Sequence, residues 1–199
     1  MQISSNYNSP QRSNQTFTSH FVRSNLLRDS FSGFWTNNVP EMRQYANAVE
    51  GLLKDGKKDV LKFVDRGRYI RLDVNNKEYS RFDALSLSKK ERNAKIRNSI
   101  IDFAEKERGI KRVFGYDNLS EKEIASVKDL NVAKRMKGLN PENKKHANII
   151  EKIKKEVIER LYYETGDRLD ALNREIRKPQ KAQTLGKGTE ENVLKNLLG

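Results

Sequence analysis

Apolar residues keep a helical rhythm over most of the chain and a strict alternation over one short stretch. Phe21, Val22, Leu26, Leu27, Phe31, Phe34 and Trp35 recur near helical spacing, which predicts a short helix docked on the core. Met42, Tyr45, Val49, Leu52 and Leu53 define a second helix. Pro40 suits its first position, where a missing N–H costs nothing, and Asp55-Gly56 ends it. The two helices are expected to pair.

The alternation falls between residues 60 and 83. Ile70, Leu72 and Val74 interleave with Tyr69, Arg71 and Asp73, and Asn75-Asn76 supplies a turn able to take positive φ. Glu78, Ser80 and Phe82 return on the second strand, so a β-hairpin is expected at about 68–83. A lone hairpin is marginal in water and must lie against helices. Val60, Leu61, Phe63 and Val64 fit either a third strand or a helix end.

Two serines announce helix starts. Ser88 with Glu91, and Ser120 with Glu123, have the spacing at which the serine hydroxyl accepts a backbone N–H while the glutamate reaches back to the cap. The first leads Ala94, Ile96, Ile100, Phe103 and Ala104 to a stop at Gly109; the second leads Ile124, Val127, Ala133 and Met136 to Gly138. Asn140-Pro141 is expected to open the longest helix, carrying Ile149, Ile150, Ile153, Val157, Ile158, Leu161 and Tyr162. Gly166 is expected to interrupt it before Leu169, Leu172 and Ile176, giving one kinked helix or two. The pattern as a whole predicts a predominantly helical α+β protein of five to seven helices and one β-hairpin. Residues 21–178 form its helical domain, and residues 179–199 read as a linker and a short C-terminal helix built on Val193, Leu194, Leu197 and Leu198.

Composition narrows the chemistry more than it names it. At 199 residues there is room for one domain with tails, and no apolar run approaches the about 18 residues a membrane helix needs. With no cysteine there is no disulfide, thiolate metal site or thiol nucleophile. His20 and His146, the two histidines, stand too far apart in sequence to pair on a helix as metal ligands. Gly186-Lys187-Gly188-Thr189 lacks the leading glycine, preceding strand and residue order of a phosphate loop. Carboxylates such as Asp65, Asp73, Glu121 and Glu123 each have a basic neighbour in sequence and read as surface charge. No catalytic residue, cofactor or metal ligand is therefore assigned, and a binding role is expected over an enzymatic one.

Charge supplies the remaining signal. Lys and Arg number 40 against 27 Asp and Glu, a net +13, which makes an acidic protein, nucleic acid or an anionic membrane surface the natural partner. Lys134, Arg135, Lys137, Lys144 and Lys145 bracket the Gly138–Pro141 turn with only Glu142 among them, a candidate basic patch at a helix junction suited to phosphate or carboxylate. Arg66, Arg68 and Arg71 beside Tyr69 form a second candidate patch on the polar side of the hairpin, of the kind sheet-type single-strand binders use. Residues 123–136 approach a helix-turn-helix pattern, but Asp129 stands at the turn position and Arg135 at a position that needs a buried aliphatic.

The first residues are a different material. Residues 1–32 contain 17 Ser, Thr, Asn or Gln, no lysine, and no acid before Asp29. Such a stretch has too little apolar area to offset its ordering entropy, so residues 1–20 are expected to be a disordered tail. It lacks the apolar core of a cleaved secretory signal, and Pro10 with the asparagine cluster opposes the amphipathic helix of a transit peptide. In composition it resembles the N-termini of bacterial proteins exported through type III or flagellar secretion. That resemblance implies a protein secreted without a cleaved signal peptide, whose basic helical body binds an acidic or helical protein partner. The alternative is a cytoplasmic nucleic-acid-binding protein using the helix-junction patch.

Overall fold

The computed structural model describes residues 20–32, 38–113 and 119–177, so the tail, Trp35 and the C-terminal segment 178–199 lie outside the described residues. One four-stranded sheet runs in the spatial order β1 (His20–Phe21), β2 (Val60–Asp65), β3 (Tyr69–Val74) and β4 (Lys77–Asp83). β1 lies parallel to β2, and the other neighbours are antiparallel. Alternation decides the faces: Leu61, Phe63, Ile70 and Leu72 are buried, whereas Tyr69 and Arg71 stand on the opposite side of β3.

The hairpin turn forms as its residues require. Asn75 and Asn76 take φ of 53° and 64°, positive at both central positions, which matches the twist of the flanking strands. Asn75 also explains why residues 60–65 become a strand. Its side-chain Oδ1 accepts the Val60 N–H at 2.9 Å, and its own N–H donates to the Val60 carbonyl at 2.9 Å. The turn thus docks β2 onto the hairpin, a contact periodicity cannot express.

Six helices are present among the described residues: α1 (Asn25–Ser30), α2 (Val39–Lys54), α3 (Lys89–Arg108), α4 (Glu121–Asp129), α5 (Val132–Met136) and α6 (Lys144–Arg177). Both capping boxes close, at Ser88–Glu91 and Ser120–Glu123. Gly109 ends α3 in the left-handed region at φ 63°, where a Cβ is disfavoured. The protein is thus predominantly helical α+β, as expected.

Three expectations need correction. The apolar rhythm from Phe21 is split: Phe21 belongs to β1, and only residues 25–30 are helical, because Phe21 gains a strand partner in Leu61. The run from Ser120 to Gly138 is two helices, since Asn131 adopts φ 51° and turns the chain between α4 and α5. The longest helix starts at Lys144, after the turn at Asn140–Asn143, and passes through Gly166 unbroken for 34 residues. Helical packing on both sides of Gly166 outweighs the about 1 kcal/mol that a mid-helix glycine costs.

The core gathers between one sheet face and α1, α2 and α3. Tyr45, Val49, Leu52, Leu61, Ile70, Leu72, Ile96 and Ile100 are among its buried members, and α6 joins it through Leu169 and Leu172, with Tyr162 and Ile176 packed against it. At 1.5 Å per residue α6 is about 50 Å long; it also packs against α4 and α5, and Ile150 and Ile153 in its first half are buried. The result is a mixed body with a helical arm. None of the helices among the described residues is long and apolar enough to cross a membrane.

Candidate functional site

The five residues of the junction patch meet at the tip of the arm. Lys134 and Arg135 lie on α5, Lys137 follows it, and Lys144 and Lys145 open α6. The turn between is built from side-chain caps. Asn143 Oδ1 accepts the N–H of Lys145 at 3.0 Å, Asn140 Oδ1 accepts that of Glu142 at 2.9 Å, and His146 Nδ1 accepts that of Asn140 at 3.1 Å. His146 is thus part of the turn, as an acceptor.

The five cations are not equivalent. The Arg135 guanidinium donates to Glu156 at 2.6 Å, an exchange that holds α5 on α6. Beside that carboxylate Arg135 is pushed above its ordinary range, and Glu156, through the same hydrogen bond, below its own. Lys134, Lys137, Lys144 and Lys145 are exposed, and among the described residues no carboxylate forms an ion pair with them. Lys144 and Lys145 occupy the first turn of α6, which holds no acid. Cations there oppose the positive end of the helix dipole, at a cost of about 0.3–1 kcal/mol each.

The second patch divides. Arg66 and Arg68 sit in the β2–β3 turn, where Asp65 Oδ1 accepts the Gly67 N–H at 2.8 Å; the Arg68 side chain is 78% exposed. Arg71 is engaged, with Asp73 at 2.9 Å and Glu78 at 3.7 Å. Tyr69 faces Arg81, whose guanidinium carbon is 5.9 Å from the ring centre. The polar sheet face therefore carries its own counter-ions; Arg68 is within 4.0 Å of Asp83 while staying exposed, and among the described residues Arg66 has no ion-pair partner.

Buried charge lies elsewhere, in pairs that the sequence reading did not anticipate. Arg43 of α2 donates to Glu123 of α4 at 3.1 Å, both side chains being at most 2% exposed. Glu123 Oε2 also accepts the Ser120 N–H and hydroxyl, each at 2.7 Å, and Oε1 accepts Thr165 of α6 at 2.9 Å. Burial works against the charged carboxylate, but the Ser120 and Thr165 hydrogen bonds and the Arg43 charge outweigh it and hold Glu123 below the ordinary range. One side chain thus caps its own helix and ties three helices together. Arg97 does the same for α1: it donates to Glu41 at 3.0 and 2.8 Å and to the Ser30 carbonyl at 3.4 Å. Asp59 links β2, the hairpin turn and α3 through Arg108 at 2.6 Å and Asn75 at 2.9 Å.

Two adjoining clefts open between α1 and the end of α6. One, of about 610 Å³, is lined by Arg23, Arg28 and Arg177 with Asn25 and Asn173. The other, of about 470 Å³, adds Tyr162, Tyr163 and Gly166 and holds Asp29, Asp167 and Asp170. Among the described residues no group of three His, Cys, Asp or Glu is arranged to hold a metal ion.

These features define a predominantly helical α+β protein with exposed basic surfaces. No protein-family model matches the chain, and no curated protein or solved structure is significantly similar to it.

Proposed function

We propose that this chain is a binding protein that engages an acidic, helical protein partner through the tip of its arm. The observation that carries the reading is the gathering of four exposed lysines, Lys134, Lys137, Lys144 and Lys145, at one helix junction with no carboxylate among the described residues paired to them. A stable helix start would favour acids in the first turn of α6, so Lys144 and Lys145 stand there against local stability. Ile149 supplies an apolar element. It is 46% exposed and stands one turn from Lys145 and one turn from Lys152, on the same helix face. An apolar anchor flanked by cations suits the acidic rim of an amphipathic helix better than a phosphate backbone, which needs no such anchor.

The test uses fluorescence anisotropy with a labelled amphipathic Leu/Glu helical peptide and, as comparison, a labelled single-stranded oligonucleotide. Replacing the four lysines by glutamine weakens peptide binding at least tenfold and flattens its salt dependence, while Ile149→Ser weakens it at unchanged salt slope. Unchanged peptide affinity in both variants overturns the proposal. Nucleic-acid binding is the second reading, favoured by Arg66 and Arg68 standing exposed at the β2–β3 turn. It prevails if the oligonucleotide binds more tightly than the peptide, loses affinity in the lysine variant and ignores Ile149→Ser. The export expectation rests on the composition break at Asp29. It is tested by transferring residues 1–32 to a reporter, which then leaves bacterial cells with an intact cytoplasmic control.

A further inference from the structure

The two ends of the described chain converge on one cation-lined cleft. Arg23 precedes α1, Arg28 lies within it, and Arg177 ends α6, yet all three line a single cleft of about 610 Å³. Asn25 and Asn173 add amide donors, and among the described residues no carboxylate lines this cleft. Leu27 and Ile176 give it an apolar floor. Arg28, Asn173 and Arg177 also line the neighbouring cleft, where Asp29, Asp167 and Asp170 gather. These three shared residues therefore form a ridge with cations alone on one side and carboxylates on the other.

The arginines keep their charge available. Among the described residues Arg23 and Arg177 have no ion-pair partner, and Arg28 reaches only Asp29, at 3.1 Å. Asp29 is shared with Lys89, also at 3.1 Å, so one carboxylate answers two cations. The sequence on either side adds no acid: none precedes Asp29, and none occurs between Arg177 and Glu190.

We infer that this cleft is a binding site for a phosphate ester carrying an apolar group. Guanidinium forks match phosphate oxygens in pairs, and three of them around one concavity neutralise a dianion. A volume of about 610 Å³ is far larger than phosphate alone requires and lies in the range of organic-ligand sites. The apolar floor takes the organic part. The same chemistry is offered by a soluble nucleotide and by the headgroup of a phosphomonoester lipid.

The test uses the full chain. Calorimetry with inorganic phosphate and with adenosine monophosphate is paired with co-sedimentation on phosphatidylcholine vesicles with and without one-tenth phosphatidic acid. Two variants are compared, Arg23→Gln/Arg177→Gln and, as control, Lys134→Gln/Lys145→Gln on the arm. The expected result is adenosine monophosphate or phosphatidic-acid vesicles binding at least tenfold more tightly than inorganic phosphate or plain vesicles. Binding falls at least tenfold in the arginine variant and is unchanged in the arm variant. Response to the nucleotide alone assigns a soluble ligand, and response to the vesicles alone assigns a lipid. Absence of binding to every probe, or equal binding by the arginine variant, overturns the inference. Loss in the arm variant alone overturns it too and moves the anion to the arm, so the two proposals fail separately.

Discussion

Replacing Arg43 by Met, Glu123 by Gln, and both together closes a thermodynamic cycle on the ion pair that joins α2 to α4. The side chains are 2% and 1% exposed, so each single replacement removes one charge of a pair held away from water. Breaking a buried pair from one side costs about 3–5 kcal/mol. Arg43→Met keeps the aliphatic volume and leaves Glu123 its bonds to Ser120 and Thr165, which sets its cost near the lower end, about 3 kcal/mol. Glu123→Gln removes the carboxylate charge facing the Arg43 guanidinium and weakens the cap, and belongs higher in that range. The double variant strands neither charge, so it loses less than the sum, with a coupling of at least about 2 kcal/mol. Urea unfolding followed by circular dichroism measures all four proteins. Single losses below about 1 kcal/mol, or additivity within about 0.5 kcal/mol, refute the reasoning. The pH dependence gives a second reading. Because Glu123 is held below its ordinary range, its contribution is complete above the unfolded carboxylate value, about 4.3, and disappears as the pH falls toward the folded one. Glu123→Gln removes that part of the acid sensitivity.

Three further outcomes follow from single residues. A Cβ added at Gly166 meets nothing within 4 Å, so Gly166→Ala stabilises the protein by about 1 kcal/mol in the same urea assay; no gain contradicts an unhindered helical glycine there. The Asn140 N–H donates to His146 Nδ1, so His146→Ala removes the acceptor and the Asn140 amide exchanges faster with solvent. Unchanged exchange in that variant contradicts the hydrogen bond. Burial and the neighbouring Asp102 carboxylate push Tyr79 up to about 12. Its stabilising effect is thus complete below the usual tyrosine range and is lost as the pH rises through about 12, a loss that alkaline titration of Tyr79→Phe no longer shows.

Much of the fold was written in local pattern. The Asn75-Asn76 turn, both serine caps and the stripe of α3 depend on residues within four positions of one another, which sequence displays directly. The misjudged elements depended on distant partners. Phe21 became a strand residue because Leu61 lies beside it, and Gly166 stayed helical because its flanks are packed. Among charges, clustering in sequence identified Lys134 to Lys145 but could not foresee that Glu156 engages Arg135 or that Asp73 and Glu78 engage Arg71. The Arg43–Glu123 pair left one trace, since Arg43 occupies a position of α2 in phase with Val39, Met42, Ala46 and Val49. The arginine cleft left none, because its members stand about 150 positions apart.

α4 buries two side chains, Glu123 and Ser126, and α5 buries none. A segment attached chiefly by polar contacts opens at a lower free energy than the apolar body it rests on. Residues 120–137 therefore constitute a separate cooperative unit, whose amides exchange with solvent through an opening that leaves α2, α3 and the sheet closed. The partner surface proposed at Lys134 and Lys137 rides on that unit, so binding there and the closure of α4 would be thermodynamically linked. Whatever binds the closed arm also tightens the Glu123 latch about 80 positions away from Arg43.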